Sequence, residues 1–264
     1  LAQPLLCHLE EISSHLVPER PLCLLLDFDG TLAPIRKWPE KAQISGLTRS
    51  LLNRLSRLER LYVGILSGRA LHDLYSKVKL PGLYYGGCHG LEMEGPGFSY
   101  QHPGGAKFRP LLSQIARKFK AQFRLIPGVM VEDKGLSVSL HHRNVKRGAI
   151  PCLRESFNRV LGEYSEWIEA IPGKEVLEAR PKLDWNKGDA VLLLLDEARR
   201  KEGKHPSCFY LGDDQTDEDA FVALGKKGIS VRVGREQPTA ARYFLRNIKE
   251  VQEFLRWILI YFQL

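Results

Sequence analysis

Two hydrophobic rhythms divide this chain. Apolar runs at 22–26, 61–66, 83–85, 208–211 and 229–233 are short and nearly unbroken, the pattern of strands buried in a parallel sheet. Between them apolar residues recur at helical spacing. Leu47, Leu51, Leu52, Leu55 and Leu58, with Arg49, Arg54 and Arg57 interleaved, predict an amphipathic helix, and further helices are predicted over 190–200 and 220–224. Strand and helix patterns in alternation predict an α/β fold, a doubly wound and mainly parallel sheet covered by helices.

The alternation breaks in the middle. Gly95-Pro96-Gly97 and Pro103-Gly104-Gly105 are loop signals, and beyond them Phe108, Leu111, Leu112, Ile115 and Phe119 form a new helical stripe. Strands are predicted at 129–131 and 136–140, around Glu132-Asp133-Lys134-Gly135, followed by a helix over 150–161. Two more strands, 167–171 and 175–179, are joined by Pro172-Gly173-Lys174 as a hairpin candidate. Residues 106–181 are therefore expected to form an inserted α+β cap over a site built by the flanking core, 1–105 and 182–264. The last apolar stretch, 257–262, is far shorter than the ~20 residues of a membrane span and is expected to close a core helix or edge.

Composition narrows the partners. The chain has 264 residues, with 39 Lys and Arg against 31 Asp and Glu, a formal charge of +8. That balance suits anionic substrates. The basic residues are dispersed among acidic ones and form no zinc-finger, RRM or basic-zipper pattern, so nucleic acid is not an expected partner. Five scattered cysteines, never spaced Cys-x-x-Cys, indicate neither a disulfide framework nor a zinc site, and a reducing cytosol is the expected compartment. No signal-peptide pattern is visible near the first residues.

The candidate chemistry lies just after the predicted strands, where open α/β sheets bind their ligands. Asp27 and Asp29 follow the first strand, and side chains two apart on a strand share a face. Two carboxylates held together beside an anionic phosphate require a cation, so the pair predicts a metal, with Mg²⁺ the natural choice for oxygen donors. Asp27, Asp29 through its carbonyl, Asp213 and Asp214 are the candidate ligands. Asp27 is the candidate nucleophile toward phosphorus, and Asp29 the acid and base for the two half-reactions. Thr31, Ser67, the backbone of Gly68, and Lys187 are candidates to hold the phosphoryl oxygens. The run Asp213 to Asp219 also suits a helix N-terminus, but not a calcium loop, since Glu218 stands where an EF-hand needs glycine.

These residues resemble the motifs of the haloacid dehalogenase-like superfamily: Asp27-Phe28-Asp29-Gly30-Thr31 the first, Ser67 the second, Lys187 the third and Gly212-Asp213-Asp214 the fourth. The gap between Ser67 and Lys187 implies a late-inserted cap. Longer strings are similar to the trehalose-6-phosphate phosphatase family: Asp27 to Ile35, Leu66-Ser67-Gly68-Arg69, His89-Gly90, and above all Gly212 to Phe221. The resemblance implies a Mg²⁺-dependent hydrolase forming an aspartyl phosphate on Asp27. It also implies substrate contacts from Arg69, His89 and Gly90, and from Glu132, Lys134, Arg143 and Glu178 in the cap. Rival expectations are a phosphatase for sucrose 6-phosphate or mannosyl-3-phosphoglycerate, a noncatalytic sugar-phosphate sensor, and a phosphoryl-transferring mutase.

Overall fold

A computed structural model describes residues 2–17, 20–173, 175–234 and 238–263. The chain divides into two compact units, 1–100 with 185–264, and 101–184. The expected cap limits, 106 and 181, fall a few residues inside the second.

The first unit runs β1 (Gln3–Pro4), α1 (Leu9–His15), β2 (Leu22–Leu26), α2 (Gly46–Leu55), β3 (Leu61–Leu66), α3 (Leu71–Val78), β4 (Tyr84–Gly87), β5 (Glu92–Gly95) and β6 (Phe98–Gln101). The second contains α4 (Arg109–Phe123), β7 (Met130–Asp133), β8 (Val138–His141), α5 (Ile150–Gly162), β9 (Ile168–Gly173) and β10 (Val176–Pro181). Back in the first unit follow α6 (Lys187–Glu202), β11 (Ser207–Gly212), α7 (Thr216–Leu224), β12 (Ile229–Val233), β13 (Tyr243–Leu245) and α8 (Ile248–Tyr261).

The first unit's sheet has the order β1-β13-β12-β11-β2-β3-β4-β5-β6, parallel from β1 to β4 and antiparallel from β4 to β5. From β2 the chain moves outward through β3 and β4, then returns on the other side through β11, β12 and β13. The order therefore reverses at β2, the place where doubly wound sheets bind ligands. All five residues of β2 are buried, which explains its unbroken apolar run. One core packs Leu24, Leu26, Val63, Ile65 and Leu211 under α2 and α8, and a second packs Cys23, Leu25, Tyr210 and Phe221 with Ala190, Val191 and Leu194 of α6. Each large apolar side chain so buried contributes about 1.5–3 kcal/mol.

The expected helix over 190–200 begins three residues earlier. Asn186 caps it, accepting from Gly188 N–H at 2.7 Å while its own N–H donates to Asp189 at 2.8 Å. This capping box puts Lys187 on the first turn. The loop signal at Gly95-Pro96-Gly97 is the turn between β5 and β6, two short strands whose half-exposed residues carry little apolar signal. The C-terminal apolar stretch belongs to α8, and among the described residues no helix is long and apolar enough to cross a membrane.

The second unit is a four-stranded antiparallel sheet, β7-β8-β10-β9, backed by α4 and α5. Its own core joins Leu112, Ile115, Phe119 and Phe157 to Val138, Leu140 and Leu177. β9 and β10 pair as the expected hairpin, whose turn residue Lys174 lies outside the described residues.

Candidate active site

The site starts where β2 ends. Asp27 N–H continues the ladder to Leu211 O at 2.8 Å, and the chain then turns, with Gly30 N–H donating to Ala33 O at 2.7 Å and Leu32 N–H to Phe28 O at 3.0 Å. Phe28 is sunk in the core. Gly30 has φ +87, and a Cβ there would lie 2.2 Å from Asp213 Oδ2, so the turn requires glycine on both counts. Thr31 in this turn is wholly buried and its Oγ1 has no hydrogen-bond partner, the condition of a hydroxyl awaiting a ligand oxygen.

Lys187 organises the charges. Its Nζ donates to Asp27 Oδ1 and Asp217 Oδ1, both at 2.7 Å, with only 2% of its side chain exposed. Asp217 also accepts from Tyr210 Oη at 2.7 Å and, through Oδ2, from Asp214 N–H at 2.9 Å. Burial opposes the charge on Asp217, but the Lys187 ammonium and these hydrogen bonds hold its carboxyl below the usual range. Burial likewise opposes the charge on Lys187, and Asp217 and Asp27 overcome it, keeping the ammonium protonated. Asp27 goes the other way. Burial pushes its carboxyl well above the usual range, Lys187 counters this, and Asp217 and Asp213 add repulsion.

That imbalance bears on a metal. Oxygens of Asp27, Asp213 and Asp217 lie within 4.8 Å of one another, an all-oxygen set suited to a hard cation. Asp217 is already engaged by three donors, which leaves Asp27 and Asp213 as the candidate ligands of this set; Asp214, expected as a ligand, is not part of it. The residues present fit Mg²⁺. Asp213 is braced from behind, its carbonyl accepting from Arg232 Nη2 at 2.9 Å while Arg232 Nη1 reaches Glu218 at 2.6 Å.

Asp29 is held by Arg69, whose Nε and Nη2 donate to its two carboxylate oxygens at 2.6 and 2.8 Å. Arg69 Nη1 donates to Asp73 at 2.7 Å and Nη2 also to Pro39 O at 2.9 Å. The guanidinium therefore fixes the plane of the Asp29 carboxylate. Ser67 Oγ accepts from Arg69 N–H at 3.2 Å, and Ser67 O from His89 N–H at 2.9 Å. His89 has φ +59 and Gly90 φ +86, a left-handed stretch that lays the imidazole over Gly68, where a Cβ would lie 2.8 Å from the ring. Trp185 Nε1 donates to His89 O at 3.3 Å, tying this turn to the segment just before Lys187.

In the second unit Glu132 pairs with His141 at 2.8 Å, Lys134 with Glu178 at 3.5 Å, and Arg143 with Glu175 at 2.8 Å. Glu132 and Glu178 flank Ser139 in register across β7, β8 and β10. Glu132 and Glu178 thus share one polar sheet face, while Lys134 lies just beyond the end of β7 and Arg143 beyond the end of β8.

Sequence reasoning gave no role to Asp217, Tyr210, Arg232 or Trp185. Asp217 belongs to the acidic run Asp213 to Asp219, which could have singled it out, although it stands on the first turn of α7 and Asp213 precedes that helix. Tyr210 within β11, Arg232 within β12 and Trp185 in a connection carry no such signal.

Comparison with known proteins follows the same lines. The family model described as trehalose-phosphatase matches residues 25–249. The trehalose-phosphate phosphatase of Mycobacterium tuberculosis strain H37Rv is 34% identical over 248 residues, covering 92% of this chain and 62% of that protein. The probable trehalose-phosphate phosphatase H of Arabidopsis thaliana is 32% identical over 265 residues, covering 95% and 75%. The chain thus spans less than two thirds of the mycobacterial relative's length. Among solved structures, the C-terminal domain of Candida albicans trehalose-6-phosphate phosphatase superposes with a TM-score of 0.81 at 23% identity, covering 98% of each chain, and shares the fold. A trehalose-6-phosphate phosphatase related protein superposes at 0.78 with 26% identity, covering 90% of this chain and 97% of that one.

Proposed function

The chain belongs to the trehalose-phosphatase family, and on that premise we propose that it hydrolyses trehalose 6-phosphate to trehalose and phosphate through an aspartyl phosphate on Asp27. The observation that carries the reading is the buried Asp27 carboxylate, hydrogen-bonded by Lys187 and set beside Asp213 at the reversal point of the sheet. A carboxylate desolvated in this way is a stronger nucleophile than one in water.

Asp27 attacks phosphorus and the sugar alcohol departs, taking a proton from Asp29. Asp29 then accepts a proton from water as the water oxygen attacks the phosphoryl group, which frees Asp27 and releases phosphate. Arg69, hydrogen-bonded to both Asp29 oxygens, fixes the orientation of the carboxylate that acts as the base. Lys187, Ser67 and Thr31 hold the phosphoryl oxygens, for which the unpartnered Thr31 hydroxyl is a ready donor. Asp27 and Asp213 would hold Mg²⁺, whose positive charge would offset the phosphate and the clustered carboxylates. Glu132, Lys134 and Glu178 recognise sugar hydroxyls, with carboxylates accepting and the ammonium donating.

The test is phosphate release from trehalose 6-phosphate with and without Mg²⁺. Turnover is expected to vanish in EDTA and return on adding Mg²⁺. Asp27→Asn is expected to lose on the order of 10³-fold or more in kcat while keeping its circular-dichroism spectrum. An active Asp27→Asn enzyme would refute the covalent route, and equal turnover of simple hexose phosphates would refute the disaccharide.

A further inference from the structure

The sheet of the second unit has an apolar face and a polar one. Val138 and Leu140 of β8, with Leu177 and Ala179 of β10, face the core beneath α4 and α5. Side chains alternate along a strand, so Ser139 and Glu178 lie on the opposite face. Register makes this arrangement tight. Ser139 pairs directly with Glu132 on β7 and with Glu178 on β10, placing a hydroxyl between two carboxylates in one row across three strands. Cβ atoms so paired are about 4.5–5.5 Å apart.

Ser139 is nonetheless stranded. It is 0% exposed and its Oγ has no hydrogen-bond partner, neither carboxylate nor backbone. Ser137, two residues earlier on the same side, is 1% exposed and its Oγ is likewise unpartnered. A buried hydroxyl without a partner costs stability that alanine would not, because it loses water and receives nothing in exchange. Its neighbours are the groups that accept from hydroxyls. A ligand hydroxyl entering this row donates its proton to a glutamate and has two lone pairs left, one of which can accept from Ser139 Oγ.

We infer that Ser139 is a specificity residue whose hydroxyl hydrogen-bonds a sugar hydroxyl held between Glu132 and Glu178. The inference rests on the sugar-binding reading of this face given above, and it adds the donor that the carboxylates cannot supply. It also gives the unpartnered hydroxyl a thermodynamic meaning: the group lowers the stability of the free protein and is satisfied only when substrate is bound.

The experiment compares Ser139→Ala, Ser139→Thr and Glu178→Gln in the full chain, measuring Tm without ligand and kcat/KM on trehalose 6-phosphate and on p-nitrophenyl phosphate. Ser139→Ala is expected to melt at or above the wild-type temperature and to lose about 5- to 15-fold in kcat/KM on the sugar phosphate. The loss on the aryl phosphate, which presents no sugar hydroxyl, is expected to be smaller. Ser139→Thr, which keeps the hydroxyl, is expected to recover most of it. A Tm below wild type for Ser139→Ala overturns the inference, since the hydroxyl would then have a partner inside the protein. Wild-type efficiency on the sugar phosphate, or equal losses on both substrates, overturns it too while impaired Glu178→Gln leaves the sugar-binding reading standing. If Glu178→Gln also turns over the sugar phosphate normally, both fall together.

Discussion

A lysine 2% exposed must be matched in charge, and Lys187 is matched twice, by Asp27 and Asp217. Their attraction offsets a large desolvation cost, so removing the ammonium leaves two carboxylates uncompensated in the interior. Lys187→Met, which keeps the length of the stem, is expected to lose about 3–5 kcal/mol in urea denaturation and to be inactive. A midpoint within experimental error of wild type would show that the carboxylates are not both ionised there. Asp27 and Lys187 were legible as single residues because each falls at the boundary of a patterned element. Their pairing with Asp217 was not, since it depends on α6 and α7 meeting across the end of the sheet.

The elements act through their ends. The turn after β2 can hold Asp27 beside Asp213 only because Gly30 has no Cβ. Gly30→Ala is expected to cost about 1–2 kcal/mol for the left-handed backbone alone. It should also push Asp213 aside and raise the Mg²⁺ concentration needed for half-maximal activity by at least about tenfold. Gly203→Ala provides the comparison. Gly203 ends α6 at φ +69 with nothing within 4 Å of its would-be Cβ, so this variant should show the backbone cost and an unchanged Mg²⁺ requirement. Titrating activity against Mg²⁺ in both variants checks the contrast, and equal requirements would remove steric exclusion as the reason for Gly30. Strands with a nearly unbroken apolar run were readable, as β2, β3 and β12 are, whereas the helices α1 and α3 were not assigned from the sequence although α1 buries Ile12 and α3 buries Leu74 and Val78. The short strands β1, β5, β6 and β13 were not assigned, whereas β4, β7 and β8, of four residues each, were; β1 owes its pairing to β13, at the far end of the chain.

At the scale of the molecule, three cores serve one chain, two in the first unit and one in the second. The core of the second unit is drawn wholly from residues within 101–184, with Phe119 and Phe157 stacked at 4.8 Å at its centre. A unit that buries its own apolar side chains should fold by itself, and 84 residues is within the range of independent domains. A fragment covering 101–184 is expected to unfold cooperatively in urea when followed by far-UV circular dichroism. A gradual, non-cooperative loss of signal would show that its core is completed by the rest of the chain.

By itself the sequence determined the α/β alternation, the insertion, and the positions of Asp27, Ser67, Lys187 and Asp213 at element ends. Those properties are local, set by periodicity, by turn residues and by the capping of α6 at Asn186. Only the tertiary structure decided which group each of them meets. Arg69 binds both oxygens of Asp29, Asp217 shares Lys187 with Asp27, and Ser139 stands between Glu132 and Glu178. Each of these meetings depends on strand order, register or helix docking, which join residues far apart in sequence and leave no local pattern to read.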